Sequence, residues 1–321
     1  MSNVYTYSPL DRVIWDASSL EEIQNEIKRL NVKKIFIVSS STLSKKTSEI
    51  DMIKQTLGKK LVGLFDNCIA HSPLENVIEC AKKVQKTSPD IIITIGGGTP
   101  IDTVKVVQLC YSLGITSPDD LKKIANKHQK IKSKIRQIAI PTTLSGGEYS
   151  IIGGAMDTKI QLKERYTGDD LCPQVVILDP TITLHTPDWL WLSTAIRSVD
   201  HAVEGLCSNS TNPLMPPMAL NSLQLFGNSL RNTHKNRDDI VSRSLSQKAV
   251  WMIAKNLGNT PMGASHGIGY LLGSIGSVPH GYTSCVMLPA VLKWNESYNQ
   301  DKQKWIANAL GRPKLSASEA V

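Results

Sequence analysis

The sequence predicts an α/β N-terminal domain on a doubly wound parallel sheet, followed by an all-α C-terminal domain. Helical and strand patterns alternate as far as Asp179-Pro180, and three consecutive glycines, Gly96 to Gly98, separate an apolar β-branched run from a helix start. Residues 186 to 295 then carry long helical patterns and almost no strand signal. The 321 residues fit two domains, 1–180 and 181–321, with a site expected in the cleft between them.

The elements follow in order. Ser18 and Ser19 are placed to cap a helix whose apolar positions are Leu20, Ile23, Ile27 and Leu30, and Lys34 to Ser39 reads as the next strand. LENVIECAKKVQKT puts Leu74, Val77, Ile78, Ala81 and Val84 on one helix face. Ile91, Ile92, Ile93 and Ile95 are apolar without alternation, as a strand buried on both faces requires. Gly96, Gly97 and Gly98 let the backbone turn sharply and approach a ligand without a Cβ. Thr99 is expected as N-cap, Pro100 at the first helical position and Asp102 in the first turn, so that free N–H groups and the helix dipole face the glycines. An anion is expected there. The loop departs from the G-x-G-x-x-G spacing, and a plain tight βα connection stays open as the other reading. Gln137 to Ile140 and Val175 to Leu178 are two more short strands, and the helical patterns begin with DWLWLSTAIRSVDHAVEGLCS.

A net charge of +8 raises the question of nucleic acid, and much of it lies in LKKIANKHQKIKSKIR. No Phe, Tyr or Trp interleaves these lysines, so a solvated helix face is expected and no nucleic-acid partner. The excess is suited to drawing in anionic substrates. No apolar run approaches the roughly 18 residues that span a bilayer, so no membrane partner and a cytoplasmic location are expected. The six cysteines lie far apart with no C-x-x-C pair, which argues against a zinc ribbon or a disulfide scaffold.

Polar groups gather in the helical half. Arg197 and His201 are four apart and share a helix face, with Asp200 flanking the stripe. His266 and His280 are each followed by glycine, and Tyr270 lies one turn after His266. Three histidines, His201, His266 and His280, are thereby placed to meet in one pocket, while His71, His128, His185 and His234 are read as ordinary interior or surface residues.

In order and spacing these pieces resemble the iron-containing alcohol dehydrogenase superfamily. The resemblance is carried by GGGTPIDTVK (96–105), PTTLSGGE (141–148), Lys163 ten residues before Pro173, HAVEG (201–205), and His266 and His280 with HGYTSCVMLP. It implies a dinucleotide-binding first domain and hydride transfer between NAD(P)H and a small substrate. Gly96, Gly97, Gly98, Thr99, Asp102, Thr142, Thr143, Ser145 and Lys163 are the cofactor residues it implies. Ser40 stands where NAD-preferring relatives have an aspartate, followed by Lys45 and Lys46, so NADPH is tolerated beside NADH.

Metal-dependent members bind iron or zinc through three histidines and an aspartate one turn before the first. Here that position is Arg197, and a guanidinium cannot ligate a metal. No catalytic metal is expected; were one held, His201, His266 and His280 would hold it. The maleylacetate reductase branch works without metal and lacks that aspartate. The four residues between Thr143 and Glu148 match this branch too, where many metal-dependent members have five. Arg197 then reads as a clamp for a carboxylate of an anionic oxo or unsaturated acid, or as a cation paired with Asp200 in a vacated metal site. Tyr270 replaces a relay histidine of many relatives and favours reduction over oxidation. The catalytic set implied is Arg197, His201, His266, Tyr270 and His280. A metal-dependent alcohol dehydrogenase and a nucleotide-binding pseudoenzyme are the alternatives. Family members continue for several more helices, so a C-terminally shortened helical domain is expected, with homodimer formation as one way to complete it.

Overall fold

The computed structural model describes residues 3–276 and 278–321, and of His280 the backbone only. Two compact units divide it, one of residues 8–142 and 147–185, the other of 1–7, 143–146 and 186–321.

In the α/β unit the elements run β1 (Arg12–Trp15), α1 (Ser19–Arg29), β2 (Ile35–Ser40), α2 (Ser41–Lys46), α3 (Glu49–Leu57), β3 (Leu61–Cys68), α4 (Leu74–Thr87), β4 (Ile91–Gly96) and α5 (Gly98–Leu113). There follow α6 (Pro118–Lys122), β5 (His128–Gln129), β6 (Arg136–Pro141), β7 (Ile152–Asp157), β8 (Leu162–Gly168) and β9 (Val175–Leu178). Six strands form a parallel sheet in the order β1-β9-β6-β4-β2-β3. Ile35 pairs with Ile91 and Ile37 with Ile93 in its centre. Alternation along β2 divides the core: Phe36 and Val38 pack with α4 and α5, Ile35 and Ile37 with α1 and α3. Both faces are thus covered, as the uninterrupted isoleucines of β4 require. Each of these fully buried side chains contributes about 1.5–3 kcal/mol. The sheet and its two helical layers are as the sequence predicts.

Three features differ in detail. The edge strands β1 and β3 are mostly half-buried, because an edge buries less, and in β3 Gly63 leaves room for the Phe36 ring. A second sheet, β5-β8-β7, pairs β7 and β8 antiparallel. The basic stretch is not a helix: α6 ends at Lys122, and beyond β5 the chain is irregular, with exposed Lys130, Lys132 and Lys134 alternating with less exposed Ile131, Ser133 and Ile135. An extended chain of period two presents the lysines to solvent as well as a helix face would.

The helical unit contains α7 (Asp188–Cys207), α8 (Met215–Lys235), α9 (Ile240–Ala254), α10 (Ala264–Ile275), α11 (His280–Trp294), α12 (Gln300–Ala309) and α13 (Ala317–Ala320). α7 is its hub, packing on α8, α9, α10, α11 and α12. Residues 143–146 are stitched to it by Thr194 Oγ1, which accepts from Leu144 N at 3.1 Å, and by Ser198 Oγ, which donates to Leu144 O at 2.6 Å. Among the described residues no helix is long and apolar enough to cross a membrane.

Candidate active site

The glycine loop sits at the C-terminal end of β4. Gly96 has φ +146°, and a Cβ there would stand 2.7 Å from Pro100 Cγ, so only glycine fits. Its carbonyl accepts from Thr142 N at 3.0 Å. Helix α5 begins two residues earlier than the sequence signals suggest: Gly97 is the N-cap, Thr99 and Pro100 lie inside the first turn, and Asp102 falls in the second. Glycine at the cap leaves the mouth open, whereas a threonine cap would fill one of the donors. The N–H groups of Gly98 and Thr99 belong to a first turn that has no intrahelical acceptor for them, which is an anion seat.

Around it, Ser40 caps α2, its Oγ accepting from Leu43 N at 3.4 Å, and its Cβ lies 3.5 Å from where a Gly96 side chain would begin. Asp102 accepts from Gly154 N at 3.3 Å and stands 4.0 Å from Lys163 Nζ and 3.8 Å from Lys105 Nζ. Lys163 lies across Gly154, where any side chain would collide with it. Ser40, Gly96 to Thr99, Asp102, Thr142 and Lys163 therefore belong to the α/β unit. Thr143 and Ser145, whose hydroxyls are 3.4 Å apart, belong to the helical unit.

In the helical unit the spacing of Arg197, Asp200, His201 and Glu204 turns one stripe of α7 towards α10 and α11. Glu204 is its anchor. Its carboxylate accepts from Gly263 N (2.8 Å), Ser265 N (2.6 Å) and His266 N (3.3 Å) at the start of α10, and from His266 Nδ1 at 2.7 Å. Asp200 is fully buried, and its Oδ2 accepts from Ser265 Oγ at 2.8 Å and Ser284 Oγ at 2.7 Å, with His266 Nδ1 at 3.3 Å. Arg197 Nη1 donates to Ser284 Oγ at 3.0 Å. The His201 and His266 rings stack with centroids 4.7 Å apart.

These neighbours set the charges. Burial drives His201 well below its ordinary value of 6.5, and His266 and Arg197 push the same way. For His266 burial alone would lower it, but the hydrogen bonds to Asp200 and Glu204 outweigh that and hold it above 6.5. Burial lowers Arg197 from 12.5 against the pull of Asp200 and Glu204, which leaves a guanidinium charged at neutral pH.

Among the described residues the donor set is a poor fit for a metal. Asp200, Glu204 and His266 offer ligand atoms within 4.8 Å of one another, but the carboxylates are engaged by N–H and hydroxyl donors and His266 Nδ1 is committed to them. On the other side, His266 Nε2 and His201 Nδ1 are buried without a partner among the described residues, and the Arg197 charge lowers the proton affinity of both rings, as it would oppose any other cation.

The structure thus brings Arg197, His201 and His266 together. Tyr270 is on α10 and 37% exposed, and the side chain of His280, the first residue of α11, lies outside the described residues. Sequence reasoning missed Glu204, Ser265 and Ser284. The first stands seven residues after Arg197 on the same stripe, a signal that was there to use.

The chain matches the iron-containing alcohol dehydrogenase family over residues 11–180 and the family's C-terminal domain over residues 192–321. It belongs to that family, and it is an oxidoreductase. It is 34% identical to the dehydrogenase FUM7 of Gibberella moniliformis over 84% of this chain and 69% of that protein. It is 27% identical to a maleylacetate reductase of Burkholderia cepacia over 94% of this chain and 78% of that protein. In fold it is similar to the sulfoacetaldehyde reductase of Bifidobacterium kashiwanohense, solved in complex with NAD+, at a TM-score of 0.88 and 20% identity over 100% of this chain and 84% of that one.

Proposed function

We propose that the chain is an NAD(P)H-dependent reductase of a small oxo or unsaturated dicarboxylate, such as maleylacetate, acting without a catalytic metal. The observation that carries this reading is the Arg197 guanidinium in a family metal-ligand position, anchored to Ser284 and beside both described imidazoles. Bound at the glycine loop, NAD(P)H supplies the hydride. Arg197 grips a substrate carboxylate through its planar fork, which fixes the pose and replaces the charge a metal would give. Reduction at carbon pushes electrons onto the conjugated carbonyl as an enolate, and hydrogen bonds from the imidazoles stabilise it. His266, whose proton affinity Asp200 and Glu204 raise, holds the proton that the enolate takes up at carbon, and His201, pushed well down by burial, stays neutral beside it.

The test is oxidation of NADH and NADPH with maleylacetate and with uncharged aldehydes, together with metal analysis of the purified protein. Turnover of maleylacetate by metal-free, chelator-treated protein is expected. One tightly held divalent ion per chain, with activity lost on its removal, overturns the metal-free reading. It would favour a metal-dependent alcohol dehydrogenase, to which His201 Nδ1 and His266 Nε2, without a partner among the described residues, point.

A further inference from the structure

An arginine three residues before an aspartate on one helix is placed to close an ion pair with it. Arg197 and Asp200 do not make that pair. Between them stands Ser284 Oγ, 3.0 Å from Arg197 Nη1 and 2.7 Å from Asp200 Oδ2, in a side chain with no exposed surface. Its polarity is fixed by chemistry. A hydroxyl has one proton, the carboxylate can only accept it, and the guanidinium can only donate, so Ser284 gives its proton to Asp200 and takes one from Arg197. Asp200 Oδ1 is buried with no partner among the described residues. That oxygen is the second acceptor a bidentate Arg–Asp pair would use, and it is left vacant.

We propose that Ser284 is a positioning residue, a hydrogen-bonded spacer that keeps the Arg197 fork off Asp200 and open to a substrate carboxylate. This rests on the reading of Arg197 as the carboxylate clamp. Without the hydroxyl, Arg197 can settle onto Asp200 Oδ1 and Oδ2, and its fork is then occupied from within.

The test compares Ser284→Ala, Ser284→Cys and Arg197→Ala with the unaltered protein. The readout is kcat/KM for maleylacetate divided by that for an uncharged aldehyde, with NADH affinity as the control for folding. Arg197→Ala should lose about 100-fold of this ratio and Ser284→Ala about 10-fold, the latter falling mainly on KM, as expected for weakening a charge-assisted hydrogen bond. Ser284→Cys, which keeps the volume with a poor hydrogen-bonding group, should move the same way by less, and it carries the comparison if the alanine variant does not fold. A ratio that depends on Arg197 but is unchanged in both Ser284 variants overturns the spacer role alone. A ratio unchanged in Arg197→Ala overturns the clamp, and the spacer with it.

Discussion

The imidazoles of His201 and His266 stack with centroids 4.7 Å apart and planes 27° from parallel, yet their surroundings shift their proton affinities in opposite directions. Burial lowers the proton affinity of His201, while the two carboxylates against His266 Nδ1 overcome the same burial and raise that of His266. Neighbouring groups forced apart in this way are how a site keeps an acid beside a neutral partner at one pH.

The pH dependence of activity should carry this signature. A proton donated by His266 is lost as pH rises through its folded value, which lies above 6.5, so kcat/KM should fall on the alkaline side of that point. Asp200→Asn keeps an oxygen for Ser265 and Ser284 but removes a charge beside His266, so the alkaline limb should move to lower pH. An unmoved limb assigns the titration to another group. Stability has its own signs. The His266 contribution is present below 6.5 and lost as pH rises through the folded value, whereas that of His201 is present above 6.5 and lost as pH falls below it.

Glu204 should matter to stability as much as to chemistry. Its carboxylate satisfies three backbone N–H groups at the head of α10, so Glu204→Ala leaves buried donors unpaired and removes a helix cap. Urea unfolding should show a loss of about 3 kcal/mol or more. A loss below about 1 kcal/mol would mean that water replaces the carboxylate without cost.

Arg197→Asp returns to the stripe the residue type that metal-dependent relatives carry one turn before the first histidine. The repulsive charge disappears, and a carboxylate joins the imidazoles. The variant should bind zinc at about one ion per chain by elemental analysis, with the unaltered protein well below that. Equal metal content in both would show that the guanidinium does not govern the site.

Much of this was legible in the sequence because it rests on local pattern. The isoleucines of β4 and the glycine run carry their burial and turn chemistry in adjacent residues, and Arg197 announces itself by standing four before His201. What escaped depends on tertiary neighbours. Ser284 gains its role only because α11 brings it against Asp200, 84 positions away in sequence. The α5 cap stands two positions before the expected one because Thr99 and Pro100 are strong start signals, and the open mouth at Gly97 overrode them. The basic stretch read as a helix for want of a way to see that β5 pairs with β8.

Ser40 gives the last prediction. It ends β2, caps α2 and lies beside Gly96, with Lys45 and Lys46 in the last turn of the same helix. In dinucleotide sites an acid here holds the ribose hydroxyls, and its absence spares a 2′-phosphate from repulsion. Aspartate is as good an N-cap as serine, so Ser40→Asp should leave α2 intact and act on the ligand alone. Two unit charges about 4 Å apart at an effective dielectric near 20 repel by about 4 kcal/mol, and exposure to solvent lowers that figure. The ratio of NADPH to NADH affinity, measured by fluorescence titration, should therefore fall by about 10-fold or more. An unchanged ratio would place the adenosine ribose away from the end of β2, and the cofactor assignment of Ser40 would be withdrawn.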